Sequence, residues 1–443
     1  MKTGSIELCL LIAMAAGISA AQSSAPATPQ ASPPGHEQLT REQAEQTALR
    51  NNPLISVSHL LALAQHEVVR ESRAGELPTL TGSLTAEAAN DGSRVASGAI
   101  SDSRLFQHAG GGVALSQLIT DFGHTSNLVA SSKLQERAQN SSEMASKEDI
   151  VLAADQAFYN ALQAQALLQV ARQTVSTRQA TQGQVSQLTQ NKLRSTLDLS
   201  FANVTVSQAQ LLQLDAANDV NATMAALDEV LGLDHEVQYT LVDATTAAPP
   251  PPPDVDVLVQ LALKQRPDLQ SLDFNRQAEQ KLSKAQADQK LPTVSALGTV
   301  GGTPVRPGEY FRSSWDGGIA ANVSVPIFNG FLFSAQAKEA SLRANAAGER
   351  TRQLRNQIVR DVHTAWLDAN NAFLRIGVTA ELLNQANQSL GLAQTRYQLG
   401  LSSIVELSQA QLQQTQADIS HTNAEYQYRI GLAVLNYQTG AQP

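Results

Sequence analysis

Two short stretches of this 443-residue chain have the residue types and spacing to act on charge: Ser195-Thr196-Leu197-Asp198 and Ser403-Ile404-Val405-Glu406. In each, a hydroxyl precedes a carboxylate by three residues. That is capping-box spacing, with the serine accepting from the first turn of a helix and the acid at N3, near the positive end of the helix dipole. Capping by itself accounts for an acid at both places. If several chains bring these turns together at the end of a tube, Asp198 and Glu406 also form rings of negative charge around an opening. Such rings select or retard ions. The two roles are compatible. Just upstream of the second stretch, Gly400 in Leu399-Gly400-Leu401-Ser402 can take the left-handed conformation that ends a helix.

Bond-making chemistry is not offered elsewhere. The sequence has no G-x-S-x-G, P-loop or H-E-x-x-H motif, and its single cysteine is Cys9. The reading is a protein that is not an enzyme and needs no cofactor or metal. His59 and His66 share a helix face seven residues apart, with nothing acidic placed to complete a metal site. Gly110-Gly111-Gly112 lacks the strand–helix context of a phosphate loop and reads as close packing or flexibility in a strand. A net charge of −9 with no basic stripe argues against a nucleic-acid partner.

The two stretches must be held by long helices. From Ile358 to Tyr397, apolar or small residues recur at Ile358, Val362, Ala365, Ala369, Ala372, Ile376, Thr379, Leu383, Ala386, Leu390, Ala393 and Tyr397. The alternating steps of four and three are the heptad period of a supercoiled helix. Half of these positions are Ala or Thr, so a partner helix can approach closely. Few aromatics (4%) and few charges (16%) suit helices that pack through small residues and keep uncharged polar faces. The pattern predicts one long helix from about 124 to 190 and another from about 334 to 399, each roughly 100 Å long. Each is followed by a tight turn and a returning helix.

The chain repeats itself. Ala48-Leu49-Arg50-Asn51-Asn52-Pro53 returns as Ala262-Leu263-Lys264-Gln265-Arg266-Pro267, and Leu77-Pro78-Thr79 as Leu291-Pro292-Thr293, both at an offset of 214. Beyond a six-residue change the offset settles at 208, so that Phe158 meets Trp366, Asp198 meets Glu406 and Gly232 meets Gly440. This reads as a tandem duplication, with a first unit over 38–240, a Pro-rich linker over 241–253 and a second unit over 254–443. Each unit holds two helices, two strands and a long helical hairpin, the hairpins at about 122–232 and 334–438. Strands are expected at about 79–90 and 108–121, then 293–304 and 314–328. Leu80, Gly82, Leu84 and Ala86 alternate with Thr79, Thr81, Ser83 and Thr85, and Ile319, Ala321, Val323 and Val325 with Ala320, Asn322 and Ser324. That period of two gives one apolar and one polar face. About ten residues is the length of a tilted membrane-spanning strand, and lipid tolerates sheets only as closed barrels. Four strands per chain cannot close a useful barrel alone, but several chains could share one, which favours a homo-oligomer. Residues 1–21 read as a cleaved signal peptide and 22–37 as a disordered lead-in. Cys9 lies at the start of the apolar core and not after it, which argues against lipidation.

Taken together, these motifs resemble the TolC family of outer-membrane efflux proteins. The resemblance rests on the two-copy layout, on Leu77-Pro78-Thr79 and Leu291-Pro292-Thr293 leading into the strands, on Val325-Pro326-Ile327-Phe328-Asn329-Gly330 at a strand exit, and on Arg396-Tyr397-Gln398-Leu399-Gly400 with Val405-Glu406-Leu407 at the second turn. It implies a mainly α protein with a membrane β-barrel part. The assembly would be a homotrimer sharing a 12-stranded barrel in outer-membrane lipid, above a periplasmic α-helical tunnel. It further implies a periplasmic adaptor and an inner-membrane pump of RND, ABC or MFS type, for efflux of small toxic solutes or, alternatively, export of protein. A structural periplasmic coiled-coil protein is the rival reading, disfavoured by two hairpins with two strand pairs. In the family the tunnel end is held shut by a Tyr and an Arg near the second turn bonding an Asp at the first. Tyr397 and Asp198 match two of these, whereas Ser402 stands at the Arg position. Glu406 matches the first of two constriction acids, and Gln409 replaces the second.

Overall fold

A computed structural model describes residues 37–88, 94–97, 100–104, 108–234, 239–242, 249–302 and 315–440. The signal segment, and the lead-in apart from Glu37, lie outside these residues. The first half runs β1 (Glu37–Leu39), α1 (Arg41–Asn51), α2 (Pro53–Ala74), β2 (Thr79–Glu87), β3 (Arg94–Ser97), β4 (Ile100–Arg104), β5 (His108–Thr120), α3 (His124–Gln190) and α4 (Thr196–Leu231). The second runs β6 (Tyr239–Leu241), α5 (Val255–Gln265), α6 (Pro267–Asp288), β7 (Thr293–Gly302), β8 (Asp316–Ser324), α7 (Leu332–Gln398) and α8 (Ile404–Thr439). Helix lengths match in order: 11 residues in α1 and α5, 22 in α2 and α6, 67 in α3 and α7, and 36 in α4 and α8.

Local chemistry sets the starts. Thr40 and Gln43 form a complete capping box on α1. Pro53 and Pro267 stand at the first positions of α2 and α6, where a missing N–H leaves no bond unmade. Asn52 also caps α2 and ties it to the end of α4, its Nδ2 donating to Val230 O at 2.9 Å.

Strands β2, β5, β7 and β8 form one antiparallel sheet in that order. The register puts Leu80 opposite Leu115, Val113 opposite Val300 and Gly298 opposite Ile319. One face therefore collects Leu80, Leu84, Val113, Leu115, Val300, Ile319 and Val323, and the other Thr79, Thr81, Ser83, Ser116, Thr299, Asn322 and Ser324. The apolar face is open to the outside, with Ile319 93% and Leu84 82% exposed. Among the described residues, the outer edges of β2 and β8 have no strand partner. β8 stops at Ser324, short of the expected 328, because Pro326 cannot donate to a ladder. Gly330 and Phe331, at φ 63° and 66°, then turn the chain into α7. β3 and β4 pair with each other, a small hairpin that the alternation did not predict.

Glu37 and Leu241, assigned to the lead-in and the linker, instead belong to a two-stranded parallel sheet. β1 pairs with β6, Glu37 opposite Tyr239 and Leu39 opposite Leu241. Leu39 and Leu241 are buried there with Ala44, Ala48, Phe158, Leu227 and Leu231. The described part of the proline run is fastened to the helices, since Trp366 Nε1 donates to Pro252 O at 2.7 Å and the Tyr428 hydroxyl donates to Pro249 O.

Along α7 every heptad position is buried or half-buried, including Ile358, Val362, Ala369, Ala386, Ala393 and Tyr397. On other faces apolar side chains stay exposed, among them Leu374, Val378, Leu382 and Leu392 of α7 and Leu197, Phe201, Val204, Leu211 and Leu214 of α4. Gly232 ends α4 at φ 69° so close to α1 that a Cβ would stand 2.7 Å from the Asn51 carbonyl.

Candidate functional site at the hairpin turns

The two turns lie side by side at the end of the helices farthest from the sheet. Each long helix ends in a Schellman motif. At the second turn Leu401 N donates to Arg396 O at 2.8 Å and Gly400 N to Tyr397 O at 3.0 Å, with Gly400 at φ 75°. At the first, Leu193 N donates to Leu188 O at 2.8 Å and Lys192 N to Thr189 O at 3.0 Å. There the left-handed position is held by a lysine, Lys192 at φ 60°. The returning helices are capped as expected, Ser195 Oγ accepting from Leu197 N at 3.1 Å and Ser403 Oγ from Glu406 N at 3.3 Å.

Glu406 does not close the reciprocal half of its capping box. Its Oε1 lies 3.2 Å from Arg396 Nε, so the carboxylate is ion-paired across the turn. The expectation of an acidic mouth also changes when the whole tip is counted. Over the equivalent residues 173–210 and 381–418 the charged side chains are Arg178, Lys192, Arg194 and Arg396 against Asp198, Glu381, Glu406 and Asp418. Cations and acids are therefore equal in number at the tip of a chain whose net charge is −9.

The contact between the hairpins is made by an arginine that the sequence reading passed over. Arg194 Nη2 donates to Tyr397 O at 2.8 Å, and its guanidinium carbon lies 4.4 Å from the centre of the Tyr397 ring. The hydrogen bond expected between Tyr397 and Asp198 is not formed within the chain, because Tyr397 Oη is buried with no hydrogen-bond partner among the described residues. Asp198 is still near enough to be felt. Burial pushes the phenol's pKa up, Arg194 pulls it down and Asp198 adds to the rise. Ser402 Oγ is likewise buried without a partner. The signal that could have found Arg194 is a cation directly before the N-cap Ser195, in the one turn that faces Tyr397.

Behind the turns, Val185, Ala202, Ala393, Tyr397, Ile404, Leu407 and Ala410 form a shared apolar cluster. Gln409, expected to replace an acid at the constriction, is exposed and lines a cavity between α4 and α8. Beside it, the buried Arg178 guanidinium donates to Gln411 Oε1, and Gln411 Nε2 donates to Thr181 Oγ1 at 3.0 Å.

The histidines do meet acids. His66 Nδ1 lies 2.7 Å from Glu136 and His59 Nδ1 3.4 Å from Glu143, each as a separate pair of α2 with α3. Among the described residues no group of three potential ligands gathers around either.

The chain matches the family model described as outer membrane efflux protein twice, over residues 45–233 and 258–441. It is 22% identical to the outer membrane protein TolC of Salmonella enteritidis over 413 residues, spanning 90% of this chain and 81% of that one. Among solved structures it superposes on CusC with a TM-score of 0.80 at 18% identity, covering 91% and 92% of the two chains. A membrane protein from Pseudomonas aeruginosa gives 0.77 at 21% identity, covering 90% and 93%. With the family model matching most of its length and this fold beneath it, the chain belongs to the outer membrane efflux protein family.

Proposed function

We propose that three copies of this chain form the exit duct of a tripartite efflux system in the bacterial outer membrane. The observation that carries the reading is the four-stranded sheet. Its exposed face is apolar, its other face is polar, and among the described residues the outer edges of β2 and β8 are unpaired. Such a sheet is unstable in water and intolerable in lipid unless its edges find partners. Pairing the β8 edge of one copy with the β2 edge of the next closes twelve strands after three copies, with lipid outside and a polar lumen inside. The exposed apolar rows on α4 and α7 then meet neighbouring copies, continuing the barrel as an α-helical tunnel across the periplasm. The paired helix lengths and the double match of the family model support a tandem duplication as the origin of this pseudo-repeat.

In this reading the hairpin turns are the periplasmic entrance. Arg194 on Tyr397 joins the two hairpins and holds it narrow, Arg396 on Glu406 braces the second turn, Asp198, Ser402 and Gln409 complete the constriction, and Ser195, Ser403 and Gly400 fix its turns. The duct is passive. A periplasmic adaptor opens it, an inner-membrane pump of RND, ABC or MFS type drives the cargo, and small toxic solutes leave through it. The signal peptide directs export and is removed.

Fractionation and conductance test this together. The full-length protein expressed in a Gram-negative host should sediment with the outer membrane and form discrete ion channels in planar bilayers. Recovery as a soluble periplasmic protein without channel activity would overturn the duct and favour a coiled-coil scaffold.

A further inference from the structure

Close to the proposed entrance, a buried cation has no counter-charge. Arg178 is 6% exposed, yet among the described residues no carboxylate pairs with it and its hydrogen bond goes to the neutral amide of Gln411. Burial lowers the guanidinium pKa to about 10, with no acid acting against the shift. A lone charge removed from water is strongly unfavourable unless something completes it. Helix packing does not require it either, since the same place along α7 is filled by Ala386, also buried.

Arg178 lines a cavity of about 350 Å³ between α3, α4 and α8. Phe201, Val204, Val405 and Leu412 form apolar walls, and no acidic residue lines it. Ser408, also in the lining, has a buried Oγ without a hydrogen-bond partner. The cavity thus offers a fixed cation, a free hydroxyl and apolar surface, in a volume typical of small-molecule sites.

We propose that this cavity binds a small organic anion, its carboxylate or sulfonate on Arg178 and Ser408 and its apolar body between Phe201, Val204, Val405 and Leu412. A guanidinium suits a planar carboxylate, which it can grip through two parallel N–H donors. The proposal rests on the duct reading for how the anion arrives; its contacts come from one chain, and the neighbouring copy that the duct reading sets beside α4 would rim the cavity at Phe201 and Val204. Cargo carrying such a group would pause just inside the entrance, and a cationic solute of the same shape would not.

The test is titration of 2-naphthoate into the purified full-length protein in detergent at pH 7, followed calorimetrically, with 2-naphthylmethylamine as the cationic analogue. Saturable binding of the naphthoate alone is expected. Arg178→Ala should weaken it at least about tenfold, the loss of one charge-assisted bond. Ser408→Ala, which leaves the buried arginine in place, should weaken it a few-fold. Circular dichroism and gel filtration establish that each variant is folded and assembled. Equal affinity in Arg178→Ala, equal binding of the amine, or no saturable binding overturns the site. If Arg178→Ala dissociates the assembly while Ser408→Ala binds like the parent, Arg178 is a subunit contact and the proposal also falls. None of these outcomes depends on channel activity, so the duct reading stands or falls separately.

Discussion

The Arg194 guanidinium stacks on the ring of Tyr397 and donates to the carbonyl of the same residue, so one side chain of the first hairpin holds both the ring and the backbone of the second. A cation over an aromatic face is worth about 0.5–2 kcal/mol, and a hydrogen bond from a charged donor about 1.5–3 kcal/mol. Arg194→Ala should therefore loosen the tip by roughly 2 kcal/mol without disturbing the distant helices. Amide exchange should quicken about tenfold or more around residues 393–410 and stay unchanged near Phe158. Open-channel conductance in bilayers should rise. Arg194→Lys keeps the charge but not the planar stack and should fall between.

Charge at the turn can be tested in both directions. Glu406→Gln leaves Arg396 unpaired and should move the reversal potential in a salt gradient toward anions. Arg396→Gln should move it toward cations. Because both side chains are half-exposed, neither change should alter stability by more than about 1 kcal/mol. An unchanged reversal potential in both variants would place the pair outside the ion path.

Lys192 holds a left-handed conformation that its counterpart Gly400 adopts at no steric cost. Lys192→Gly should tighten the first turn by about 1 kcal/mol, and Gly400→Ala should loosen the second by a similar amount. Exchange rates of amides 188–196 and 396–404 report the two changes separately, and they should have opposite signs.

At the other end of α1, burial first and then the neighbouring Glu45 carboxylate raise Asp155 to about 7, with Glu42 adding and Arg41 opposing. An acid whose folded pKa exceeds its unfolded one binds its proton more tightly in the native state. Its contribution is therefore largest at low pH and declines as pH rises from about 4 to about 7. The junction of α1 with α3 should exchange faster at pH 8 than at pH 5 after correction for intrinsic rates. Asp155→Asn should flatten that dependence; an undiminished slope would assign it to another group.

Ile319 and Asn322 lie on opposite faces of β8. A lysine on the lipid side of a barrel costs about 2–4 kcal/mol near the midplane, while a lumen position tolerates it. Ile319→Lys should sharply reduce the detergent-resistant oligomer in outer-membrane fractions, and Asn322→Lys should leave it near the parental level. Equal tolerance at both positions would contradict the assignment of faces.

Much of the fold was legible because it is periodic. The four-three steps from Ile358 to Tyr397 and the alternation around Leu84 and Ile319 are local patterns, and they mark the same helix face and the same sheet face in three dimensions. The caps at Ser195 and Ser403 were legible for the same reason. What escaped was contact across long separations. Arg194 meets Tyr397 203 residues away, and β1 finds β6 across the entire first hairpin. Glu406 had two local options, its own N-cap amide or Arg396, and spacing does not decide between them. The pairing of Arg396 with Glu406 and the approach of Arg194 to Tyr397 are likewise contacts that spacing does not specify.

The fastening of the proline run has a mechanical consequence. With Pro252 held by Trp366 of α7 and Pro249 by Tyr428 of α8, the described part of the proline run is clamped to the shaft. Trp366 lies 32 residues before the end of α7, about 50 Å from the turn at the helical rise. The second hairpin is thus an arm with a fixed shoulder. A few degrees of flexure along it sweeps the far end through several ångströms while every bond at the shoulder stays made. Parting the two tips would require Arg194 to leave Tyr397, Arg178 to leave Gln411, and Val185 and Ala202 to separate from Ile404 and Leu407.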